Sequence, residues 1–117
     1  MTLATLPPTR MYHYTCVDHG KPGIDKDGVV KPHPTIGLAW FTDLDVPHVS
    51  SLGLTDHLLD CDRTKVRYEV DPEDVTPWMD VRRTAALPSV LRVGLESCPG
   101  AMPRHWFVST SPVAVLP

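Results

Sequence analysis

Thirteen prolines are scattered through these 117 residues, and they limit the fold more than any other feature. Proline has no backbone N–H and a fixed φ, so it stops helices and is excluded from the interior of sheets. At about twice average usage and with no repeat, it divides the chain into short elements joined by ordered turns. A helical bundle is ruled out. The apolar share of 42% and the charged share of 21% are those of an ordinary globular domain. A length of 117 residues gives one domain, set at residues 10–117 behind a loose lead-in over 1–9.

Net charge is −3, which argues against a nucleic-acid grip built on bulk electrostatics. No run approaches the roughly 18 apolar residues that a membrane span needs. The start has no basic region followed by a long apolar stretch, as a secretory leader would. Three widely spaced cysteines, Cys16, Cys61 and Cys98, are odd in number and do not form a disulfide framework. The expectation is reduced thiols, a cytoplasmic location, no membrane and no metal.

The pattern along the chain predicts the elements. Met11 to Thr15 is β-rich, with Met11, His13 and Thr15 on one face and Tyr12 and Tyr14 on the other. A turn or short helix follows over 18–27, and Gly28 fits the position after a helix, where a positive φ is wanted. Residues 37–42 are apolar on both faces and read as a central strand. A short helix is possible over 50–60. Residues 65–70 alternate cleanly, with Val66, Tyr68 and Val70 inward and Lys65, Arg67 and Glu69 outward. A helical turn around Trp78, a helix over 88–96, a strand over 105–109 and another over 113–116 complete the reading. Strands at both ends with short helices between them give an α+β domain with a mixed or mostly antiparallel sheet.

Tyr12-His13-Tyr14-Thr15, a helix ending in glycine and Trp40-Phe41-Thr42 together resemble a known layout. They are similar to the first half of the compact ADP-ribosyltransferase fold. The branch is the one that begins on a His strand, as in diphtheria-type toxins and poly-ADP-ribose polymerases. The resemblance covers roughly residues 11–42, and the later elements follow it in order only. It implies that His13 bonds a ribose hydroxyl of NAD and that Thr15 helps hold the nicotinamide amide. It also implies that Trp40 and Phe41, with Thr42, line the nicotinamide pocket. The family further uses a late-strand carboxylate to steady the ribosyl cation. Here the chain departs, because ten of its 14 acids lie between Asp43 and Asp80 and none follows Glu96. Ser111 stands in that region, and Glu69 is the one strand carboxylate left for the role. Tyr14 stands where many members have Gly.

The function expected from this resemblance is transfer of ADP-ribose from NAD to an acceptor, such as a protein, or simple NAD cleavage. The alternative is a catalytically inactive protein of the same fold that engages a host or partner protein. A chain this small would suit a phage-borne or mobile-element effector. Other clusters carry less. His13-x-x-Cys16-x-x-His19 has a metal-like spacing, but His13 on a strand does not share a face with residues three apart. Cys61 between Asp60 and Asp62, near His57, has its thiolate disfavoured. Ser109-Thr110-Ser111 resembles the Ser-Thr-Ser strand of arginine-modifying toxins, yet no acid follows it. Arg82, Arg83, Arg92, Arg104 and His105 form a basic set that could hold a pyrophosphate or simply balance the acidic middle.

Overall fold

The computed structural model describes residues 10–15, 21–34, 36–45, 65–84, 88–97 and 101–117. All three cysteines, His19, His57 and the 50–60 segment lie outside them, so the thiol and metal-spacing expectations are not addressed. Within the described residues the chain is an α+β domain. Seven strands run β1 (Met11–Thr15), β2 (Val29–Val30), β3 (Ala39–Thr42), β4 (Val66–Val70), β5 (Thr76–Pro77), β6 (Trp106–Ser109) and β7 (Val113–Ala114). Three helices, α1 (Lys21–Asp27), α2 (Trp78–Val81) and α3 (Ser89–Glu96), stand between them.

Five strands form one sheet in the order β4-β1-β3-β6-β5, and β2 pairs with β7 in a second. All of these pairings are antiparallel. β3 sits in the middle, as its two-sided apolar pattern requires. An isolated bridge between Val70 and Val115 ties the end of β4 to the segment after β7.

The punctuation follows the sequence closely. Gly28 takes φ 70°, and its N–H returns to Ile24 O at 2.8 Å, which closes α1. Gly37 takes φ 78° in the turn that feeds β3. Pro88 caps α3, its carbonyl accepting from the N–H groups of Leu91 and Arg92.

Side-chain alternation gives the large sheet two different faces. On the first, Met11, Phe41, Val70 and Phe107 pack against Ile24 of α1 and against Val30 and Val113 of the small sheet. On the second, Trp106 and Val108 pack with Leu38 and Trp78, and Trp40, Val81 and Leu95 close over them. Arg67 turns outward as expected, but it is not idle, since its guanidinium lies 4.7 Å above the buried Tyr12 ring.

Candidate functional site

His13 is at the centre of β1, opposite Tyr68 of β4. β3 runs along its other side through the Tyr12–Thr42 pair. The His13 ring stands 5.6 Å from the Phe41 ring. Its Nδ1 lies 2.7 Å from Trp40 O. A carbonyl only accepts, so Nδ1 carries the hydrogen. Burial holds the imidazole below its ordinary value of 6.5, against the opposing pull of the Trp40 carbonyl. The neutral ring then has its lone pair on Nε2, ready to accept from a hydroxyl.

Thr15 shares this face, opposite Val66. The other predicted residues divide between the two sides. Phe41 shares the face but is 4% exposed and packed in the aliphatic core, where it cannot offer a ring face to a ligand. Trp40 points to the second face, with its ring 4.9 Å from Trp78 and 6.0 Å from Trp106. Thr42 is buried, and its hydroxyl accepts from the Leu44 N–H at 3.1 Å. Glu69 pairs with Tyr12, so period-two alternation puts it on the face away from His13. The structure puts the side chains of His13, Thr15, Phe41 and Tyr68 on one face, and it does not bring the Glu69 carboxylate or the Trp40 ring to them.

Tyr68 is the neighbour that the sequence reading assigned only to the core. It is partly buried, and its hydroxyl donates to Asp25 at 2.7 Å. Burial first, and then Asp25, push that hydroxyl up to about 12. Asp25 in turn pairs with Lys21 along α1, and the bonds from Lys21 and Tyr68 hold its carboxyl below the ordinary range. Alternation in both strands, once they are paired antiparallel, is the signal that sets Tyr68 across from His13.

A second pair was invisible in the sequence. Thr42 faces Trp106 across β3 and β6. The next residue out on each strand is Asp43 and His105, and His105 Nδ1 lies 2.7 Å from Asp43 Oδ1. They are 62 positions apart in the chain. His105 therefore leaves the basic set. Arg82 leaves it too, because Glu96 accepts from its Nε at 2.9 Å and takes a second bond from its Nη2. Trp78 Nε1 donates to the same carboxylate at 2.7 Å. Arg83 and Arg104 are exposed. Trp78, Arg82 and Glu96 thus clamp α3 to the end of α2.

At the far end of β3 and β6 a cavity of 490 Å³ opens over Leu38 and Val108, rimmed by Asp74, Thr76 and Thr84. None of the predicted site residues lines it. Among the described residues no group of three or more metal-ligating side chains occurs, and no helix is long and apolar enough to cross a membrane. Comparison with protein-family models, curated proteins and solved structures gives no match.

Proposed function

We propose that the chain is an ADP-ribosyltransferase-like protein that binds NAD on the His13 face of its sheet and cleaves it or transfers its ADP-ribose. The observation that carries this reading is the imidazole itself. Trp40 O fixes Nδ1–H, and Nε2 is left as an acceptor suited to a ribose hydroxyl. The family layout also asks for the His strand to lie beside the aromatic strand, and β1 pairs with β3. Thr15 takes the amide of nicotinamide on the same face. Tyr68, across from His13, replaces the buried Phe41 as the ring available for stacking. Glu69 has no part in the chemistry, because it lies on the other face.

The second reading, an inactive relative that engages a protein partner, is favoured by one observation. α3 exposes Val90, Leu91 and Val93, with Val90 at 77%. Calorimetry with NAD separates the two readings. Wild type should bind NAD, and His13→Ala should weaken binding by about 5–150-fold, the equivalent of about 1–3 kcal/mol for a buried polar contact left unpaired. Absence of NAD binding to folded wild type at millimolar ligand would transfer the argument to the partner reading.

A further inference from the structure

The cavity at the far end of β3 and β6 lies on the Trp106 side of the sheet, away from His13. Its base is apolar. Leu38 and Val108 are buried beneath it, and Ile36 and Val81 stand partly buried beside them. Its rim is polar, with Asp74 from the 3-10 helix Pro72–Asp74, Thr76 from β5 and Thr110 from the turn after β6. β5 and β6 are antiparallel, with Thr76 opposite Val108. The chain before β5 and the chain after β6 therefore run out to the same end, which is why Asp74 and Thr110 meet at one rim.

The walls are held by the chain's own bonds. The Gly37 N–H donates to His33 O at 2.7 Å, and Leu38 O accepts from the His33 N–H at 3.1 Å, which fixes the turn on one side. The Ser109 hydroxyl donates to Ser111 O at 2.7 Å and accepts from the Ser111 N–H at 3.1 Å, which fixes the turn on the other. The Thr84 hydroxyl donates to Val81 O at 3.3 Å. Three polar groups remain uncommitted. Among the described residues nothing bonds the Asp74 carboxylate or the hydroxyls of Thr76 and Thr110. Asp74 is also the one ionisable residue among the described residues that line the cavity. A preformed hollow with an apolar base and a few convergent polar groups is the usual form of a small-molecule site.

We propose that this cavity is a binding site for a small organic cation, an ammonium group carried on a hydrocarbon or aromatic body. Its 490 Å³ falls within the range of about 300–1,000 Å³ that such sites occupy. The apolar body of the ligand lies on Leu38 and Val108, and its removal from water supplies most of the affinity. The carboxylate decides the sign of the charged end. An ammonium at the rim keeps water on its outer side and gains a charge-assisted bond from Asp74. The hydroxyls of Thr76 and Thr110 accept its other hydrogens. An anion meets the same carboxylate with no lysine, arginine or histidine among the described lining residues to offset it. A bare divalent cation needs six or more oxygens, and the apolar base provides none. The site is independent of the NAD reading, because it lies on the other face of the sheet.

The test titrates three probes of one shape and different charge, 4-phenylbutylammonium, 4-phenylbutanol and 4-phenylbutyrate, into wild type, Asp74→Asn and Asp74→Lys. Backbone amide shifts in NMR spectra give both the affinity and the place of binding. For wild type, the shifts should centre on Gly37, Leu38, Val108 and Thr110. The ammonium should bind about 5–10-fold more tightly than the alcohol, between the values for an exposed ion pair and for a buried charge-assisted bond. The butyrate should bind most weakly. Asp74 is exposed and its side chain bonds nothing among the described residues, so both variants should fold. Asp74→Asn should abolish the advantage of the ammonium over the alcohol, and Asp74→Lys should reverse the order of the two charged probes. A loss of structure would weaken all three probes alike and would not reverse their order. Equal affinity of wild type for the ammonium and the alcohol would overturn the proposal. So would an ammonium preference that survives in Asp74→Asn, shifts confined to amides away from the cavity, or no binding at millimolar probe.

Discussion

On the His13 face the sheet meets aliphatic side chains from α1 and the small sheet, together with Phe41 and Phe107. On the opposite face it meets three indoles, of which Trp78 is fully buried. The packed part of each face excludes water, by different means. Aliphatic packing is not directional, so the first face tolerates any partner of suitable volume. An indole brings an N–H that must be satisfied when buried. Trp78 therefore requires Glu96, and Glu96, the last residue of α3, requires Arg82. One tryptophan thus fixes how α2 and α3 meet. On the face that carries His13, the Tyr68 hydroxyl is met by Asp25 and the His13 Nδ1 by Trp40 O, which leaves the Nε2 of His13 for a ligand.

Trp78→Ala should separate the two faces most sharply. Removing a buried indole costs about 3–5 kcal/mol through lost burial and the cavity left behind. Trp78→Phe keeps most of the volume and removes only the bond to Glu96. It should cost about 1–3 kcal/mol, the range for leaving a partly buried group short of a partner. Urea unfolding measures both. If Trp78→Phe were neutral, the indole nitrogen would contribute nothing and the contrast between the faces would reduce to volume.

Among the described residues most of the secondary structure is legible in the sequence, for reasons that are local. Gly28 marked the end of α1 because only a residue tolerant of φ near 70° suits that turn. Alternation marked β1 and β4, and Pro88 marked the start of α3. Alternation also contained the placement of Glu69, because in an antiparallel pair the partner of Tyr12 cannot share a face with His13. That deduction needed the register between β1 and β4, which depends on tertiary packing. The Asp43–His105 pair needed the β3–β6 register, set by Thr42 and Trp106 across 62 residues of chain. The arginines near α2 and α3 carried a local signal of charge but none of their partner. Glu96 reaches Arg82 across 14 positions. The specific ligand site was legible only as residue types, since the side of the sheet to which each turns is not a local property.

Glu96 gives the next largest effect. The Arg82 bonds hold its carboxyl below the ordinary 4.5, outweighing burial, with the Trp78 bond acting in the same direction. A carboxyl lowered in the folded state binds protons less readily there than in the unfolded chain. Its contribution to stability is present above the unfolded value and lost as pH falls through the folded one. Acidification below about pH 4.5 should therefore lower the urea midpoint of wild type more than that of Glu96→Gln. Equal slopes in the two proteins would show that the clamp between α2 and α3 adds no linkage of its own.

The smallest effect belongs to His13, and it tests the other face. Burial lowers its imidazole from 6.5, and the bond to Trp40 O only partly opposes this. The folded chain thus keeps His13 neutral at a pH where the unfolded chain has begun to protonate it. Stability from this source is full above 6.5 and falls as pH drops through the window between 6.5 and the lower folded value. His13→Gln removes the titration while leaving a polar group of similar size. The difference in urea midpoint between wild type and His13→Gln should be flat at pH 7 to 8 and should move against wild type between about pH 6.5 and pH 5. Subtracting the two proteins cancels the other histidines and the carboxyls. A difference that stayed constant over this whole range would mean that folding leaves the imidazole at its ordinary 6.5, with no burial penalty on its charged form. Nε2 would then become a donor as pH fell through 6.5, and His13 would lose there the lone pair on which recognition of a ribose hydroxyl depends.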